Sequence, residues 1–282
     1  MIYRIRKFRE TGTIMVVGCG GTGGFVAEGL CRLLIGTHYR ITLVDHDRVE
    51  EHNLGRQNFF RQDLGKFKAE VLARRLAANY GRTIDYLTSP IEQLRKYDRG
   101  HLTIGCVDNP GAREILQYTG QHSMMGPVDS YCFFDGWYID AGNGEHSGQV
   151  LIGNALLREL KQAFFPGDEK GCCEKLPLPQ IQQPALLAPE TKPVRPRDCA
   201  QRVAADEQSP VSNQAMAALV LQFVHLLMKG ELTWMGVYID LETMTTSPVP
   251  IDPETVSRMT GIGLRSLVYH PRLYKERVQI RV

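Results

Sequence analysis

The sequence predicts an α/β fold: an open, mostly parallel β-sheet with helices on both faces. Three observations predict it. The apolar run 14–17 leads into a glycine-rich turn, the helix-like segment 25–34 follows the turn, and a second apolar run occupies 41–44. This order is typical of parallel sheets, because a parallel connection needs a crossover helix. The 282 residues, 43% of them hydrophobic, suffice to bury the core of one large domain.

The first turn carries Gly18, Gly20 and Gly23 in a G-x-G-x-x-G spacing. Glycines at this spacing permit unusual backbone angles and let a phosphate approach the N-terminus of the following helix. The second apolar run ends at Asp45, whose carboxylate can hydrogen-bond the hydroxyls of a ribose. Together these features predict a nucleotide-binding βαβ unit, and they suit a dinucleotide such as NAD or FAD as well as ATP.

The loop after Asp45, residues 46–53, leaves the carboxyl end of a predicted parallel strand, where ligands bind in open α/β sheets. Arg56 follows this loop, and Lys68 opens the segment 68–78, which has helical periodicity. Two interpretations stay open: the charges of the loop are solvated surface, or they point at phosphates bound to the glycine turn. On the second interpretation, Arg56 and Lys68 are placed to meet a polyphosphate.

A second carboxylate is predicted at the same edge of the sheet. The apolar run 102–107 ends in Asp108 and Asn109, and Pro110 can open the next helix. Further elements are predicted from apolar periodicity: a strand at 83–87, paired strands at 137–140 and 148–152, a strongly apolar helix at 212–228, and a hairpin of 234–239 with 244–249.

The chain divides by composition into three regions. Residues 1–154 are predicted to form the nucleotide-binding core, and residues 201–282 to complete the same domain with a helix and strands. Between them, residues 155–200 hold seven of the fifteen prolines. This density predicts a long, extended and mobile crossing segment that adds nothing to the core.

Charge and composition exclude several classes of protein. A net charge of +2 gives no electrostatic footprint for nucleic acid. We find no apolar run that approaches membrane-spanning length and no apolar signal segment at the start, so we expect no membrane association. The seven cysteines are odd in number and lie mostly in apolar segments, which indicates reduced thiols in a cytoplasm.

Four motifs in order carry a resemblance to a known family: Asp45-x-Asp47-x-Val49, Asn53-Leu-x-Arg56-Gln57, Gly65-x-x-Lys68 and Cys106-Val-Asp108-Asn109. They resemble the adenylation core of the ThiF/MoeB/ubiquitin-activating superfamily, and more narrowly the ThiF-like proteins of the plasmid-associated PRTRC gene set. The resemblance implies a Rossmann-like fold and a homodimer. It also implies an enzyme that uses ATP and Mg²⁺ to adenylate the C-terminal carboxylate of a small β-grasp, ubiquitin-like protein.

The resemblance also implies a role for individual residues. Asp45 would hold the ribose and Gly21 the phosphates, while Arg56 and Lys68 would stabilise charge on the leaving pyrophosphate. Asp108 would orient Mg²⁺. The attacking carboxylate is already ionised at neutral pH, so no general base is needed. The remaining residues implied to contact the nucleotide are Gly18, Gly20, Gly23, Asp47, Asn53, Gln57 and Asn109.

Many relatives carry a cysteine in the crossing segment that accepts the activated acyl group or its sulfur. Cys199 is the candidate, because an arginine at 197 or 202 and a following helix would lower the pKa of its thiol. Cys172 and Cys173 are the reserve candidates. The chain lacks the two Cys-x-x-Cys pairs of the zinc-binding relatives, so we expect no structural zinc.

Three questions stay open at the level of the sequence. Some relatives complete the ATP site with an arginine from the neighbouring subunit, and Arg4, Arg6 and Arg9 are the candidates here. The product could be a thioester, a thiocarboxylate or an isopeptide bond. The alternative functions are an NAD- or FAD-dependent oxidoreductase, a nucleotide-binding scaffold without turnover, and a family member that adenylates a small molecule or a tRNA base.

Overall fold

The computed structural model describes residues 3–6, 8, 10–93, 101–117, 136–167, 171–188 and 209–270. Short 3₁₀ turns also occur in the loops, as at Glu51–Asn53 and Pro184–Leu187. The strands and α-helices of the described part are, in chain order, β1 (Tyr3–Ile5), β2 (Thr13–Val17), α1 (Gly21–Leu33), β3 (Arg40–Val44), α2 (Lys68–Tyr80), β4 (Ile84–Leu87), β5 (Leu102–Gly105), α3 (Pro110–Gln117), β6 (Trp137–Asn143), β7 (Ser147–Gly153), β8 (Phe164–Phe165), β9 (Gly171–Cys173), α4 (Pro179–Gln182), α5 (Pro210–Lys229), β10 (Trp234–Asp240), β11 (Thr245–Pro250), α6 (Pro253–Thr260) and α7 (Leu264–Leu267).

Eight of these strands form one sheet in the order β11-β10-β7-β6-β5-β2-β3-β4. Five neighbouring strands, β6, β5, β2, β3 and β4, pair in parallel. From β6 to β11 the pairing is antiparallel, through β7 and β10. The predicted fold class is therefore confirmed, with a Rossmann-like parallel half extended by antiparallel C-terminal strands.

The central strand β2 shows why the sheet is covered on both faces. Its side chains alternate: Ile14 and Val16 pack into the apolar cluster under α1, α2 and α5, whereas Met15 and Val17 pack into a second cluster under α3 and α4. All four are buried. A strand that is buried on both faces gives a continuous apolar run in the sequence, and residues 14–17 are such a run.

Helix α5 corrects one expectation from the sequence. Its 20 residues are long and apolar enough to cross a membrane by length and composition, although no run of that kind was expected. In the structure its inner face packs against α1 and the sheet, where Met216, Val220 and Phe223 are buried. Ser209 caps its start by accepting a hydrogen bond from the N–H of Val211. This packing is that of a core helix.

The Pro-rich region was predicted to be extended throughout and to add nothing to the core, and for its described part this is wrong. Strand β9 pairs with β1 and β8, and Cys173, Leu176 and Leu178 are fully buried. The prolines do not prevent this order, because Pro179 occupies the first turn of α4, where no backbone donor is needed. Residues 189–208 lie outside the described part.

Candidate nucleotide-binding site

A cavity of about 630 Å³ opens at the carboxyl ends of β2, β3, β5 and β6. Strand β2 lies between β3 and β5, so the cavity sits where the strand order reverses, which is where open α/β sheets bind ligands. Its lining brings together nearly all the residues that the sequence singled out: Gly18, Gly20, Gly21, Asp45, Asp47, Asn53, Arg56, Gln57, Lys68, Asp108 and Asn109.

The glycine turn forms the floor of this cavity. Gly18 has a φ of 86°, and a Cβ there would lie 2.5 Å from the carbonyl oxygen of Cys106. Gly20 is the N-cap of α1, whose first N–H groups have no acceptor within the helix. Gly23, by contrast, does not line the cavity: a Cβ on it would collide with the carbonyl oxygen of Gly18. Gly23 therefore allows α1 to approach the turn closely and makes no direct contact with the cavity.

Asp45 follows β3 and joins the turn to the next loop. One carboxylate oxygen accepts the N–H of Cys19 at 2.7 Å, and the other accepts the N–H of Asp47 at 2.8 Å. Burial raises the pKa of Asp45, while these two hydrogen bonds and the nearby Lys68 act in the opposite direction. The carboxylate is therefore held in a fixed orientation at the cavity wall, as a ribose-binding acid requires.

Lys68 begins α2 and is almost buried, with 10% of its side chain exposed. Its Nζ lies 3.2 Å from Oδ2 of Asp47, and its N–H donates to the carbonyl of Asp47 at 2.9 Å. The Asp47 side chain itself is 57% exposed. This contact aims the ammonium group into the cavity, where it is available to a second anion.

Hydrogen bonds within the loop that carries Arg56 stabilise its conformation. Asn53 is fully buried, and its Oδ1 accepts the N–H of Glu50 at 2.9 Å. Gln57 donates its N–H to the carbonyl of Asn53 at 2.9 Å and places its side chain against Gly20. Its buried Oε1 has no hydrogen-bond partner among the described residues. Asn53 therefore shapes the loop, and Gln57 offers a polar atom at the glycine turn.

Asp108 and Asn109 follow β5, and the structure gives them different environments. Asn109 accepts the N–H of Ala112 through Oδ1 at 2.7 Å, which makes it a cap for the start of α3. Asp108 is exposed, and within the described part of the chain its carboxylate makes no hydrogen bond or ion pair. Its oxygens are therefore available to a hard cation.

The described residues contain one other group that could hold a metal, formed by Asp45, His46 and Asp47, whose ligand atoms lie within 4.8 Å of one another. Lys68 lies against this group, with its Nζ 3.2 Å from Oδ2 of Asp47 and near enough to lower the pKa of Asp45, so its positive charge disfavours a metal cation there. Asp108 is therefore the residue of the cavity that best fits Mg²⁺, which takes one or two carboxylates and leaves its other positions to phosphate and water.

Asn213, in the first turn of α5, is a site residue that the sequence analysis missed. It is fully buried; its Nδ2 donates to the carbonyl of Arg56 at 3.2 Å, and its Oδ1 accepts from Asn143 at 2.7 Å and from the Thr22 hydroxyl at 3.4 Å. A Cβ on Gly21 would collide with its side chain. The sequence places an asparagine at a helix start, but only the tertiary fold brings that helix start to the glycine turn.

A second missed group lies below the cavity on the β6 side. Arg113 on α3 lines the cavity, and its Nε lies 3.4 Å from Oδ2 of the fully buried Asp140. The Tyr138 hydroxyl donates to the same oxygen at 2.6 Å. Burial raises the pKa of Asp140, while Arg113 and Tyr138 lower it. In the sequence, Asp140 had no sign beyond its place at the end of an apolar run.

The structure places the candidate nucleophilic cysteines in different environments. Cys199 lies outside the described residues, so its role as a nucleophile stays a prediction. The reserve candidates lie on β9 and do not line the cavity. Cys173 is fully buried, and burial raises the pKa of its thiol, so it carries no thiolate at neutral pH. Cys172 is half-buried. Cys19 and Cys31 are buried in the core.

None of the described candidates for a cross-subunit arginine lines this cavity. Arg6 pairs with Glu174 at 2.6 Å beside β1, which is the edge strand of a small sheet with β9 and β8. Arg4 lies on β1 itself, and Arg9 is outside the described residues. A contribution from a neighbouring subunit therefore stays a prediction.

Comparison with known proteins identifies a family for the N-terminal half of the chain. The ThiF family profile matches residues 4–150. Ubiquitin-like modifier-activating enzyme 5 from Bombyx mori is 36% identical over 131 residues, 41% of this chain and 32% of that protein. The tRNA threonylcarbamoyladenosine dehydratase from Escherichia coli strain K12 is 47% identical over 64 residues, 22% of this chain and 23% of that protein. The chain thus aligns with a third or less of either relative.

Among solved structures, Escherichia coli MccB crystallised with ATP is similar in fold, with a TM-score of 0.53. The two chains are 18% identical, and the similarity covers 85% of this chain and 64% of MccB. At this identity the comparison supports the fold, and it extends the likeness beyond residue 150 to most of the chain.

Proposed function

The chain belongs to the ThiF family, and from this premise we propose that it uses ATP and Mg²⁺ to adenylate the C-terminal carboxylate of a small β-grasp, ubiquitin-like protein. One observation carries the proposal: Asp45, Arg56, Lys68 and Asp108 come from four separate motifs, and all of them line one cavity at the glycine turn. A site that holds a triphosphate and a divalent cation needs these charges. The Bombyx mori relative is named as a modifier-activating enzyme, and MccB, which shares the fold, was crystallised with ATP.

In the proposed complex, each described residue has a defined task. Asp45 accepts the ribose hydroxyls with a carboxylate that Cys19 and Asp47 already orient. The N–H groups at the start of α1 receive the phosphates over Gly20 and Gly21. Arg56 and Lys68 neutralise the β- and γ-phosphates. This set of contacts fixes the nucleotide before the acyl substrate arrives.

The reaction follows from this placement. The substrate carboxylate attacks the α-phosphorus, a new P–O bond forms, the bond to the bridging oxygen breaks, and pyrophosphate leaves with its electron pair. Lys68 and Arg56 stabilise the negative charge that grows on the leaving group, which is where fixed cations accelerate such a transfer. Asp108 would hold Mg²⁺, which supplies further charge neutralisation at the phosphates. No protein base is required, since the attacking carboxylate is already an anion.

Three further features belong to this proposal. Cys199 would take the activated acyl group in a second step, two subunits would associate as a homodimer, and the enzyme would act in the cytoplasm. The near-neutral charge and the odd number of cysteines support a cytoplasmic protein that does not bind nucleic acid.

The decisive experiment is ATP–pyrophosphate exchange, driven by a β-grasp protein from a neighbouring reading frame. Asp108→Ala should reduce partner-dependent exchange to background, because the carboxylate that holds Mg²⁺ is lost. Asp85→Ala is the matched control, since Asp85 lies on β4, makes an exposed ion pair with Arg40 and does not line the cavity. Such a pair contributes at most about 1 kcal/mol, so the control should keep full exchange. Full exchange in Asp108→Ala would refute the role of this residue.

One relative favours a second substrate class. The Escherichia coli tRNA threonylcarbamoyladenosine dehydratase is 47% identical over its short matched region. A carboxylate on a modified nucleoside would meet the same cavity chemistry. The net charge of +2 weighs against a tRNA substrate, because tRNA binding draws on many phosphate contacts. Exchange stimulated by tRNA and not by a β-grasp protein would favour this second class.

A further inference from the structure

Arg113 is a cation of the cavity that neither the motifs nor the nucleotide chemistry above account for. It lies one turn into α3, where its N–H donates to the carbonyl of Asn109 at 3.3 Å. Its side chain lines the cavity with 11% exposure. Burying a charged group costs free energy of desolvation, and a group of opposite charge bound next to it offsets this cost.

The partner below Arg113 does not saturate it. Asp140 is fully buried and receives the Tyr138 hydroxyl, but it is 3.4 Å from Nε of Arg113, which is too far for a good hydrogen bond. Within the described residues, both Nε of Arg113 and Oδ1 of Asp140 are buried without a hydrogen-bond partner. Asp140 therefore acts as a counter-ion that anchors the guanidinium from its Nε side, and within the described residues neither Nη group donates a hydrogen bond to a protein acceptor.

The position of Arg113 separates it from the other cations. Arg56 and Lys68 belong to the chain that follows β3, on one side of the glycine turn. Arg113 follows β5 and packs beside β6, on the other side of β2. Next to its Nη2 lies Gly142, where a Cβ would stand 3.1 Å from that nitrogen and would collide with Gln149. The Gln149 side chain fills the space that a Cβ at Gly142 would need, so Gln149 and the Arg113 guanidinium lie close together at the cavity wall.

We propose that Arg113, anchored by Asp140, binds the carboxylate of the acyl substrate beside the α-phosphate. The proposal rests on the adenylation function and names the residue that receives the second substrate. A carboxylate that approaches a triphosphate meets an anion, and the two cations on the pyrophosphate side do not face it. A guanidinium presents paired donors that fit a carboxylate, so Arg113 both offsets the repulsion and orients the attacking oxygen.

A binding experiment tests this without relying on turnover. The probes are acetyl-Gly-Gly with a free C-terminal carboxylate and the same peptide with a C-terminal amide, each titrated into the protein saturated with the ATP analogue AMPCPP and Mg²⁺. The wild type should bind the carboxylate form and discriminate against the amide. Arg113→Gln should lose about tenfold or more in affinity for the carboxylate form and should bind the amide as before, since charged hydrogen bonds carry the difference.

Two further variants control this result. Glu114→Gln changes an exposed charge on the same helix and should leave the discrimination intact. The double variant Arg113→Gln/Asp140→Asn removes the buried charge that a single substitution would leave unpaired, so it guards against a simple failure to fold. Each variant is first titrated with AMPCPP, so that the peptide titrations are made at an analogue concentration that saturates it.

The outcomes separate this inference from the function on which it rests. Equal binding of carboxylate and amide by the wild type, or unchanged discrimination in both Arg113 variants, overturns the role of Arg113. Discrimination that depends on Arg113 supports the role even if the wild type shows no ATP–pyrophosphate exchange with any β-grasp partner. In that case the adenylation of such a partner fails and the carboxylate site stands.

Discussion

Lys66 lies two residues before α2 and Lys68 is the first residue of α2, yet the fold gives the two side chains opposite environments. Lys66 is exposed and does not line the cavity, whereas Lys68 is nearly buried and lies against Asp47. A sequence pattern cannot separate two lysines so close together, although the motif spacing did favour the second. What separates them is the direction in which the first turn of the helix faces the sheet edge.

The two lysines therefore make a matched pair for mutagenesis. Lys68→Met should reduce ATP–pyrophosphate exchange by about 10²-fold or more, the usual loss when a fixed group that stabilises transition-state charge is removed. The cost in stability should stay near 1 kcal/mol, because Asp47 is more than half exposed and becomes hydrated when its partner is lost. Exchange kinetics and thermal unfolding measure the two effects.

Lys66→Met is the control and should change neither quantity. If the two variants lose exchange equally, the loss comes from the altered surface charge of α2, and the assignment of Lys68 to the phosphates is wrong.

The thiols of β9 give a second prediction at this scale. Burial raises the pKa of Cys173, so its reactive thiolate is absent at pH 8, while its neighbour Cys172 is half-buried. Iodoacetamide at pH 8 should therefore label Cys172 before Cys173 in the folded protein, and both equally after denaturation. Peptide mapping by tandem mass spectrometry measures the two sites. Early labelling of Cys173 would mean that β9 opens readily.

At the scale of elements, the first turn of α5 packs against the segments that line the nucleotide site. Asn213 contacts three different segments there: the glycine turn, the Arg56 loop and the end of β6. The apolar periodicity of α5 predicted the helix well but could not show where its first turn would lie. Long-range neighbours of this kind depend on the sheet order, in which β6 stands two strands from β2.

Asn213→Ala should therefore impair ATP use, because it releases the Arg56 carbonyl and the Thr22 hydroxyl together. We expect the KM for ATP to rise about tenfold or more, along with a loss of about 1–3 kcal/mol in the free energy of unfolding. Asn154→Ala is the matched control. Asn154 bridges Glu174 and Leu176 with hydrogen bonds of 2.9 Å and does not line the cavity.

The control should lose comparable stability while keeping the wild-type KM for ATP. Enzyme kinetics on both variants, at a temperature where each is folded, separates positioning of the site from general destabilisation. Equal KM values in the two variants would show that Asn213 is a structural residue alone.

For the molecule as a whole, the parallel half of the fold could be predicted because its signals are local. Runs such as 14–17 and 102–107 are apolar, short and bounded by turn residues, and the glycine motif marks the order of strand and helix. The carboxyl-edge position of Asp45, Lys68 and Asp108 followed from that order and from the rule that parallel strands end at one edge.

The remaining features could not be predicted, because they depend on contacts between distant parts of the chain. The ordered stretch around β9 was missed since its prolines indicated an extended segment, whereas its burial comes from pairing with β1 at the far end of the sequence. Arg113 was missed for the same reason. Its role depends on its contact with Asp140, which is 27 residues away on β6, the strand that pairs with β5.

At the scale of the whole molecule, ligand-induced stabilisation can separate the two nucleotide classes that the glycine turn alone left open. A hydride-transfer cofactor has no need of Lys68 and Asp108 at the cavity, whereas a triphosphate with Mg²⁺ engages both. ATP with Mg²⁺ at about 100 times its Kd should stabilise the folded protein by about 2.7 kcal/mol, a rise in Tm of a few degrees for a chain of this size. NAD at the same concentration should give little or no shift. The comparison in Asp108→Ala sharpens the test, because the shift with ATP should then lose its dependence on Mg²⁺. A larger shift with NAD than with ATP and Mg²⁺ would move the chain to the oxidoreductase class and remove the basis for adenylation.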